Sequence, residues 1–434
     1  MFQSTVLDGQ QLRLDGVYPM NSTGDLMLRV KIPAGVLSAE QALVIAELAE
    51  RFAGGCLHLT CRGSMELHRL RHEQLAEVAR ALARVGLTSR GACGGAVRGV
   101  SCSTSASPGF DRVQALARRL HRHFTGNPHF EGLPKKFKIA VEADAGHGRQ
   151  LIQDVGLVLR DGGGAPRYDI WLAGGLGREP RPAFLYRSDV PEGEVIPLIE
   201  AVIRAYRAHA PAPRRLKYLA AVHGEEGLRQ LIDRECSGFP SVVPPLGIEG
   251  SLTPSPAVDL VEVAVFAGEL AAGELRQLAQ IAEEQGDGFL LVTADQNIAF
   301  VPADDSSRAR LQSALRAAGL IAGDCMPAPV FRICPGSHIC RIGLAPTRDV
   351  ARRICAAIGP GGRNLSWAIS GCANSCSQPQ LADVGILTAR FTSSAEGGKE
   401  PLFTLLRRTG PGLGTTVAEG LSLEELLERI AVLS

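Results

Sequence analysis

The sequence lacks any long hydrophobic run. No apolar stretch in its 434 residues reaches the roughly 18 residues that a membrane-spanning helix needs, and even the apolar segment LVEVAVFAGEL is interrupted by glutamate. The first residues, MFQSTVLDGQQ, also lack the basic region and apolar run of a secretory signal. These absences predict a cytoplasmic protein that has no membrane partner.

An excess of charge of one sign is missing as well. The chain has 46 lysines and arginines against 45 aspartates and glutamates, which leaves a net charge of +1. Domains that bind nucleic acid usually carry a strong basic surface, so we expect no nucleic-acid partner. Any anion site must therefore depend on a local cluster of cations.

Cysteine is present in an unusual pattern. The chain has 11 cysteines, an odd number, and disulfides are not expected in a reducing compartment. Four of them fall in two motifs, FRICPGSHICRIG with Cys334 and Cys340, and ISGCANSCSQP with Cys372 and Cys376. The other seven are interpreted as buried packing residues: Cys56, Cys61, Cys93, Cys102, Cys236, Cys325 and Cys355.

The spacing of the four motif cysteines is C-x5-C, a long gap and C-x3-C. Zinc sites usually use pairs with two to four residues between the ligands, so the five-residue spacer indicates a larger object. A 4Fe-4S cluster takes one thiolate per iron and needs ligands that stand farther apart. The spacing predicts such a cluster, with a structural zinc site as the alternative.

A repeat covers residues 25–87 and 259–320. Both copies predict the order strand, helix, strand, strand, helix, and they begin DLMLRVKIPAG and DLVEVAVFAGE. Ser38 and Gln41 form a capping-box pattern at the start of the first helix. A duplicated unit predicts a pseudo-twofold axis with a crevice where the copies meet, and binding sites often occupy such crevices.

The strand CLHLT in the first copy alternates in polarity. Leu57 and Leu59 are expected to face inward, and Cys56 and His58 outward, as in a strand with one covered face. Each copy is followed by a longer segment, and the sequences of these two segments do not resemble each other. The Pro-rich segment 240–258 is interpreted as a linker between the halves.

The wording of the cysteine motifs, CPGSHIC and SGCANSC, together with the repeat, resembles the sirohaem-dependent nitrite/sulfite reductase family. The resemblance covers most of residues 25–385. In that family the four cysteines hold the cluster, and the last of them, here Cys376, also bridges to the sirohaem iron. The resemblance therefore implies two cofactors, sirohaem and a 4Fe-4S cluster.

Three further segments resemble family motifs that carry cations. LTCRGSMELH resembles an LT-x-R segment, GACGGAVRGVS a G-x-x-x-R-N-V segment, and GLPKKFKIAV an LPRKFK segment. By resemblance, the catalytic cations around the distal face of sirohaem are Arg62, Arg98, Lys136 and Lys138. Fixed positive charge suits reduction of a small oxyanion, because it binds the anion and stabilises developing negative charge on oxygen.

The resemblance also suggests partners for the carboxylates of sirohaem. RRLKYL and AGGLGREP resemble family segments, and the candidate cofactor-binding residues in them are Arg178, Arg214, Arg215 and Lys217. The sequence departs from the family pattern at Gly63 and Gly99. The family often has glutamine after the first catalytic arginine and asparagine after the second.

The implied fold class is α+β with pseudo-twofold symmetry, built from two ferredoxin-like half-domains and two sirohaem and Fe–S-binding α/β domains. The expected boundaries are a half-domain at 1–90, a sirohaem-binding domain at 91–239, the linker at 240–258, a second half-domain at 259–328, and a second sirohaem and cluster-binding domain at 329–434.

The implied activity is six-electron reduction of sulfite to sulfide or of nitrite to ammonia. The sequence shows no flavin or nicotinamide domain, so the electrons are expected from ferredoxin or a separate flavoprotein subunit. Two alternatives remain open. One is precorrin-3B synthase, a relative that hydroxylates a tetrapyrrole with dioxygen, and the other is a non-catalytic Fe–S or zinc module.

The cysteine spacing generates a first prediction about metal content. The protein purified without air should contain about four iron and four labile sulfide atoms for the cluster, plus one iron in sirohaem. Metal analysis and a visible spectrum measure both, because sirohaem has absorption bands that a cluster alone lacks. Stoichiometric zinc without iron would instead support the zinc alternative.

Overall fold

The computed structural model of the protein describes residues 9–20, 24–104, 108–160, 164–211, 214–236, 260–321, 330–393 and 399–433. The predicted linker, 240–258, and Cys325 lie outside these residues. Within the described ranges, no helix has both the length and the apolar character needed to cross a membrane.

The first half-domain contains the predicted order of elements, preceded by a short helix and strand. Its elements are α1 (Gly9–Leu14), β1 (Val17–Pro19), β2 (Leu26–Val30), β3 (Val36–Ser38), α2 (Ala39–Phe52), β4 (Cys56–Leu59), β5 (Met65–Leu70) and α3 (Leu75–Arg84). The capping box at α2 is formed, since Gln41 N–H donates to Ser38 Oγ at 3.2 Å and Ser38 N–H donates to Gln41 Oε1 at 3.0 Å.

The first sheet domain follows along the chain. It consists of β6 (Ser101–Cys102), α4 (Phe110–Phe124), β7 (Ile139–Glu142), β8 (Val155–Arg160), β9 (Arg167–Leu172), β10 (Phe184–Pro191), α5 (Glu192–His209) and α6 (Leu216–Cys236). Its strand order is β10-β9-β8-β7-β6, with β6, β7 and β8 parallel and the last two strands antiparallel.

The second half repeats both units. Its half-domain consists of β11 (Val261–Val263), β12 (Glu269–Ala271), α7 (Ala272–Gln285), β13 (Phe289–Val292), β14 (Ile298–Phe300) and α8 (Asp305–Ala317). Its sheet domain consists of β15 (Phe331–Ile333), α9 (Thr347–Ala357), β16 (Trp367–Ser370), β17 (Val384–Ser393), β18 (Lys399–Arg407), β19 (Thr415–Leu421) and α10 (Leu423–Leu433).

The two sheet domains have the same topology although their sequences do not match. The second sheet has the order β15-β16-β17-β18-β19, again with three parallel strands followed by two antiparallel ones. The duplication therefore extends beyond the repeat that the sequence reveals, because strand pairing and core packing tolerate wide changes of side chain.

The half-domains exchange one strand each. β12 of the second copy pairs with β4 of the first, with Leu270 opposite Leu57, and β3 of the first copy pairs with β13 of the second, with Leu37 opposite Leu290. Apolar residues of both copies belong to one hydrophobic core, in which α2 and α7 pack together. The pseudo-twofold axis thus passes through a single body with a shared core.

The expectation of a half-covered strand is wrong at His58. This residue is only 3% exposed, because the second face of β4 is also covered. Its ring stacks on that of His68 with a centroid distance of 6.1 Å, and its Nε2 lies 3.3 Å from Nε2 of Gln296 in the other copy. Both faces of the first sheet are therefore buried, one against apolar helices and one against polar groups.

Each sheet domain has one aspartate, at an equivalent position just before its third strand, that accepts a hydrogen bond from the segment before the second strand. Asp154 Oδ2 accepts a hydrogen bond from Lys138 N–H at 2.8 Å, and Asp383 Oδ2 accepts one from Ser366 N–H at 2.8 Å. Asp154 is fully buried and also pairs with Arg215 at 2.7 Å. Asp383 is half-buried and accepts its second bond from the neutral hydroxyl of Ser366.

This difference predicts unequal effects on stability. Asp154→Ala leaves the buried Arg215 without its carboxylate partner, so it should lower the free energy of unfolding by about 3–5 kcal/mol. The matched control Asp383→Ala removes bonds from uncharged donors and should cost about 1–3 kcal/mol. Denaturant unfolding of both variants at equal cofactor content measures the difference. Equal losses would contradict a structural role for the Arg215 pair.

Candidate functional site

Two parallel strands bring the four motif cysteines to one edge of the second sheet. β15 and β16 are hydrogen-bonded neighbours, so the loops that follow their carboxyl ends start side by side. The cysteines lie on these loops, Cys334 and Cys340 after β15, and Cys372 and Cys376 after β16. Leu344 N–H joins the loops by donating to the Gly371 carbonyl at 2.7 Å.

Glycine permits the close approach of the two loops. A Cβ added to Gly343 would lie 2.4 Å from the carbonyl carbon of Gly336, and one added to Gly371 would lie 3.1 Å from its Cα. Gly336 also has a φ of +59°, a backbone conformation that residues other than glycine rarely adopt. Gly336 and Gly371 therefore permit the close approach of the two loops, and Gly336 and Gly343 permit the tight course of the first loop.

The four thiols interact with one another. Burial raises the pKa of the Cys334, Cys340 and Cys372 thiols, and the Cys376 thiol adds to the rise in each of them. Gly371 N–H donates to Cys334 Sγ at 3.1 Å. Hydrogen bonds from backbone N–H groups to cysteine sulfur are a feature of Fe–S sites, where they tune the cluster.

Among the residues that the structure describes, no three His, Cys, Asp or Glu side chains form a group that could hold a single metal ion. The four thiols are neighbours, but their arrangement does not match a site for a single metal ion. A donor set of four soft thiolates on two converging loops fits a 4Fe-4S cluster, which takes one thiolate for each iron.

Lys136 and Lys138 lie just before β7 in the first sheet domain. Phe137 between them is fully buried, whereas both lysines are partly exposed on the opposite face, as alternation along an extended chain requires. Phe137 also pairs with the neighbouring segment, donating to the Ala96 carbonyl at 3.1 Å and accepting from Arg98 N–H at 2.8 Å. This pairing places Arg98 next to the lysines.

The two arginines that the sequence predicts to be catalytic are held in different ways. Arg62 donates to Gln153 Oε1 at 2.8 Å, to the Gly99 carbonyl at 3.0 Å and to the Ile139 carbonyl at 3.3 Å. Arg98 is buried and donates from Nη2 to the Gly94 carbonyl at 3.0 Å, while its buried Nη1 has no partner among the described residues.

These four cations are close enough to repel one another. Burial and the charge of Arg215 lower the pKa of Lys136 to about 8, and burial, Arg62 and Lys136 lower the pKa of Lys138 well below its usual value. Burial and Arg98 lower the pKa of Arg62 to about 10. The Cys376 thiol acts in the opposite direction on both lysines. The structure therefore brings Arg62, Arg98, Lys136 and Lys138 together, with the two lysines close enough to Cys376 to interact with its thiol, and such a group of cations suits anions.

The other candidate cofactor contacts divide into two groups. Arg215 and Lys217 are buried, and Lys217 Nζ donates to the Leu176 carbonyl at 3.2 Å, next to the predicted contact Arg178. Arg178 and Arg214 are exposed, and the Arg214 guanidinium lies 4.9 Å from the ring centre of Tyr218. Their roles as sirohaem contacts, like the domain boundaries and the catalytic roles, stay predictions.

The sequence analysis missed two charged residues near this pocket. A small cavity is lined by residues of both half-domains and both sheet domains, among them Arg62, Glu142, Arg149 and Gln153. Glu142 and Arg149 are buried, and neither belongs to a motif that the sequence analysis singled out. The alternating pattern of side chains along this strand could have indicated Glu142, because position 142 lies on the same face as Lys136 and Lys138.

Comparison with known proteins identifies the family. A model of the nitrite and sulphite reductase 4Fe-4S domain matches residues 99–238. A model of the nitrite/sulfite reductase ferredoxin-like half domain matches residues 18–85 and 258–318. Together the two models match more than half of the chain.

Curated relatives cover most of the sequence. The chain is 26% identical over 424 residues to sulfite reductase (ferredoxin) 1 of Mycolicibacterium paratuberculosis, covering 92% of this chain and 76% of that protein. It is 29% identical over 408 residues to ferredoxin–nitrite reductase of Synechococcus elongatus, covering 86% and 78%. The solved structure of the Mycobacterium tuberculosis NirA protein matches its fold with a TM-score of 0.83 at 24% identity, covering 97% of this chain and 85% of that one.

The duplicated half-domains and the thiolate site thus define an oxidoreductase that carries an Fe–S cluster. The chain belongs to the sirohaem-dependent nitrite/sulfite reductase family, and its cofactors are sirohaem and a 4Fe-4S cluster. The predicted α+β fold with duplicated ferredoxin-like half-domains is confirmed. The residues that fit the cluster are the four motif cysteines, and the group of cations around Lys138 fits an anionic tetrapyrrole.

The exposed position of Cys376 beside the cations generates a prediction. If Cys376 serves both cofactors, Cys376→Ser should change the haem absorption spectrum as well as the cluster signal. Cys334→Ser is the matched control, because Cys334 is buried and should affect the cluster first. Visible absorption and electron paramagnetic resonance measure the two cofactors separately. An unchanged haem spectrum in Cys376→Ser would remove Cys376 from the bridging role.

Proposed function

We propose that the protein catalyses the six-electron reduction of sulfite to sulfide or of nitrite to ammonia. The observation that carries this proposal is the group of four neighbouring cations, Arg62, Arg98, Lys136 and Lys138, of which the two lysines also interact with the Cys376 thiol. A cluster of half-buried, mutually repelling cations is costly in a folded protein unless an anion completes it. Sulfite and nitrite are small anions that such a pocket can bind.

The cations have separate tasks in this proposal. Arg62 is oriented by three protein oxygens, so it provides fixed positive charge for an oxyanion without rearrangement. The lowered pKa of Lys136 and Lys138 makes their ammonium groups stronger acids than that of an exposed lysine, and each oxygen that leaves as water needs protons. When bound, sirohaem and its cluster would supply the electrons.

The proposed electron donor is ferredoxin or a separate flavoprotein subunit. The relatives named above as sulfite reductase (ferredoxin) and ferredoxin–nitrite reductase support a ferredoxin donor. The cytoplasm is the proposed location, because unpaired cysteines and Fe–S ligands suit a reducing compartment.

The lysines provide the test of this function. Lys136→Ala or Lys138→Ala should lower turnover of sulfite or nitrite by about 10²–10³-fold, the usual effect of losing one positioned electrostatic donor, while both cofactors stay bound. The matched control is Lys135→Ala, since Lys135 is the exposed neighbour in the same segment. Turnover is measured with reduced viologen as donor, and cofactor occupancy by absorbance.

The possible outcomes separate the alternatives. Wild-type protein that reduces neither anion but converts precorrin-3A with dioxygen would be a precorrin-3B synthase. Wild-type protein that does neither while holding its cluster would support the non-catalytic module. If the wild type reduces an anion and both lysine variants match it, the activity stands but the proposed roles of the lysines are wrong.

A further inference from the structure

Gln296 is a buried glutamine with an unusual backbone conformation. It is only 1% exposed, and its φ of +67° lies in the left-handed region that residues other than glycine rarely adopt. Gly268 leaves room for its side chain, since a Cβ added there would lie 2.7 Å from Gln296 Nε2. A residue persists in such a conformation only where its surroundings hold it, and here the amide group makes the contacts that hold it.

The amide of Gln296 binds the end of β15. Ile333 is the last residue of β15, an edge strand of the second sheet that pairs with β16 on one side only. Ile333 N–H donates to Gln296 Oε1 at 2.7 Å, and Gln296 Nε2 donates to the Ile333 carbonyl at 3.1 Å. The amide thus makes the two hydrogen bonds that a neighbouring strand would make. Nε2 also donates to the carbonyl of Leu59, the last residue of β4, at 2.8 Å, so one side chain ties the second sheet to the first half-domain.

The residue that follows this attachment is the first motif cysteine. Cys334 N–H donates to the Ile369 carbonyl at 3.1 Å, and the Cys334 carbonyl accepts from Thr347 Oγ1 at 2.6 Å. Its Sγ accepts from Gly371 N–H at 3.1 Å. Since Cys334 is bonded directly to Ile333, a shift of the end of β15 would move the thiol and change this last hydrogen bond.

The first copy has the same loop without the side chain. Gly63 occupies the position equivalent to Gln296, with a φ of +63°, and both N–H groups donate at 3.1 Å to the carbonyl of the threonine that begins the loop. A small cavity in the first copy is lined by Gly63, Cys102 and Val292. Cys102 and Val292 are the last residues of β6 and β13, so they correspond to the two residues whose carbonyls Gln296 binds. The loop therefore folds without a side chain here, and the glutamine is present in the copy whose sheet domain carries the motif cysteines.

We propose that Gln296 is a positioning residue for the 4Fe-4S cluster, which holds Cys334 in place by fixing the end of β15 to the half-domains. It acts through the backbone of Ile333 and does not bind the cluster itself. Loss of a group that orients a metal ligand typically weakens metal binding by about 10–100-fold. The proposal depends on the cluster and not on the reduction of an anion, so it can be tested without measuring turnover.

The test variant is Gln296→Gly in the protein purified without air with its cofactors. Glycine suits the backbone of this loop, because Gly63 already has the same conformation in the first copy. The variant should lose iron to a chelator at least about 10-fold faster than the wild type. The electron paramagnetic resonance spectrum of its reduced cluster should also change, because the hydrogen bond to Cys334 Sγ tunes the cluster.

The matched control is Asn297→Ala, the next residue in the same loop. Asn297 accepts from Val265 N–H at 2.9 Å and donates to Glu262 Oε1 at 2.8 Å, so its hydrogen bonds stay within the second half-domain. This variant should keep the iron release and the cluster spectrum of the wild type. Equal effects of Asn297→Ala and Gln296→Gly would overturn the proposal, because the cause would then be a general loss of half-domain stability.

A second variant, Gln296→Met, separates hydrogen bonding from packing. Methionine fills a similar space without the amide, so it should release iron as fast as Gln296→Gly. Wild-type iron release and an unchanged cluster spectrum in either variant would refute the positioning role. Hydrogen exchange of the wild type provides a check that needs no variant: the Ile333 amide should exchange slowly, and fast exchange would mean that its bond to Gln296 does not persist and that the proposal is wrong.

Discussion

The burial of like charge is the constraint on which this structure depends. Lys136 and Lys138 lie in a pocket with Arg62 and Arg98, and partial burial together with the neighbouring positive charges lowers the pKa of both lysines. Such a group persists only where the rest of the fold holds it in place and an anion completes it. Asp154 contributes to this, since it accepts from the backbone of Lys138 and pairs with Arg215.

The duplicated fold uses its two copies for different purposes. The loops that begin at Thr60 and Thr293 have the same hydrogen bonds, from Thr60 N–H to the Ser64 carbonyl and from Thr293 N–H to the Asn297 carbonyl, both at 2.9 Å. The first loop carries Arg62, whereas the second carries Asp295, which pairs with Arg332 at 2.9 Å. The loop of the first copy therefore provides a cation to the pocket. The loop of the second copy provides an anion, Asp295, whose charge is neutralised by Arg332.

The sheet domains differ in a similar way. Ser103 and Cys334 follow the first strand of each sheet and make equivalent backbone bonds, to the Val141 carbonyl at 2.9 Å and to the Ile369 carbonyl at 3.1 Å. In the first copy this position is a hydroxyl that donates to Glu142, and in the second it is a thiol beside the other cysteines. Equivalent backbone positions thus hold acid–base groups on one side and cluster ligands on the other.

The sequence by itself determined the elements and motifs with a strong local signal. The capping box at Ser38, the repeat of the half-domains and the spacing of Cys334, Cys340, Cys372 and Cys376 are all readable, because each depends on residues close together in the chain or on a pattern that occurs twice. The tertiary structure decided what depends on pairing between distant segments. The exchange of β3 and β12, the burial of His58 and the cavity at Glu142 all follow from contacts between the two halves, and no local pattern of residues encodes such contacts.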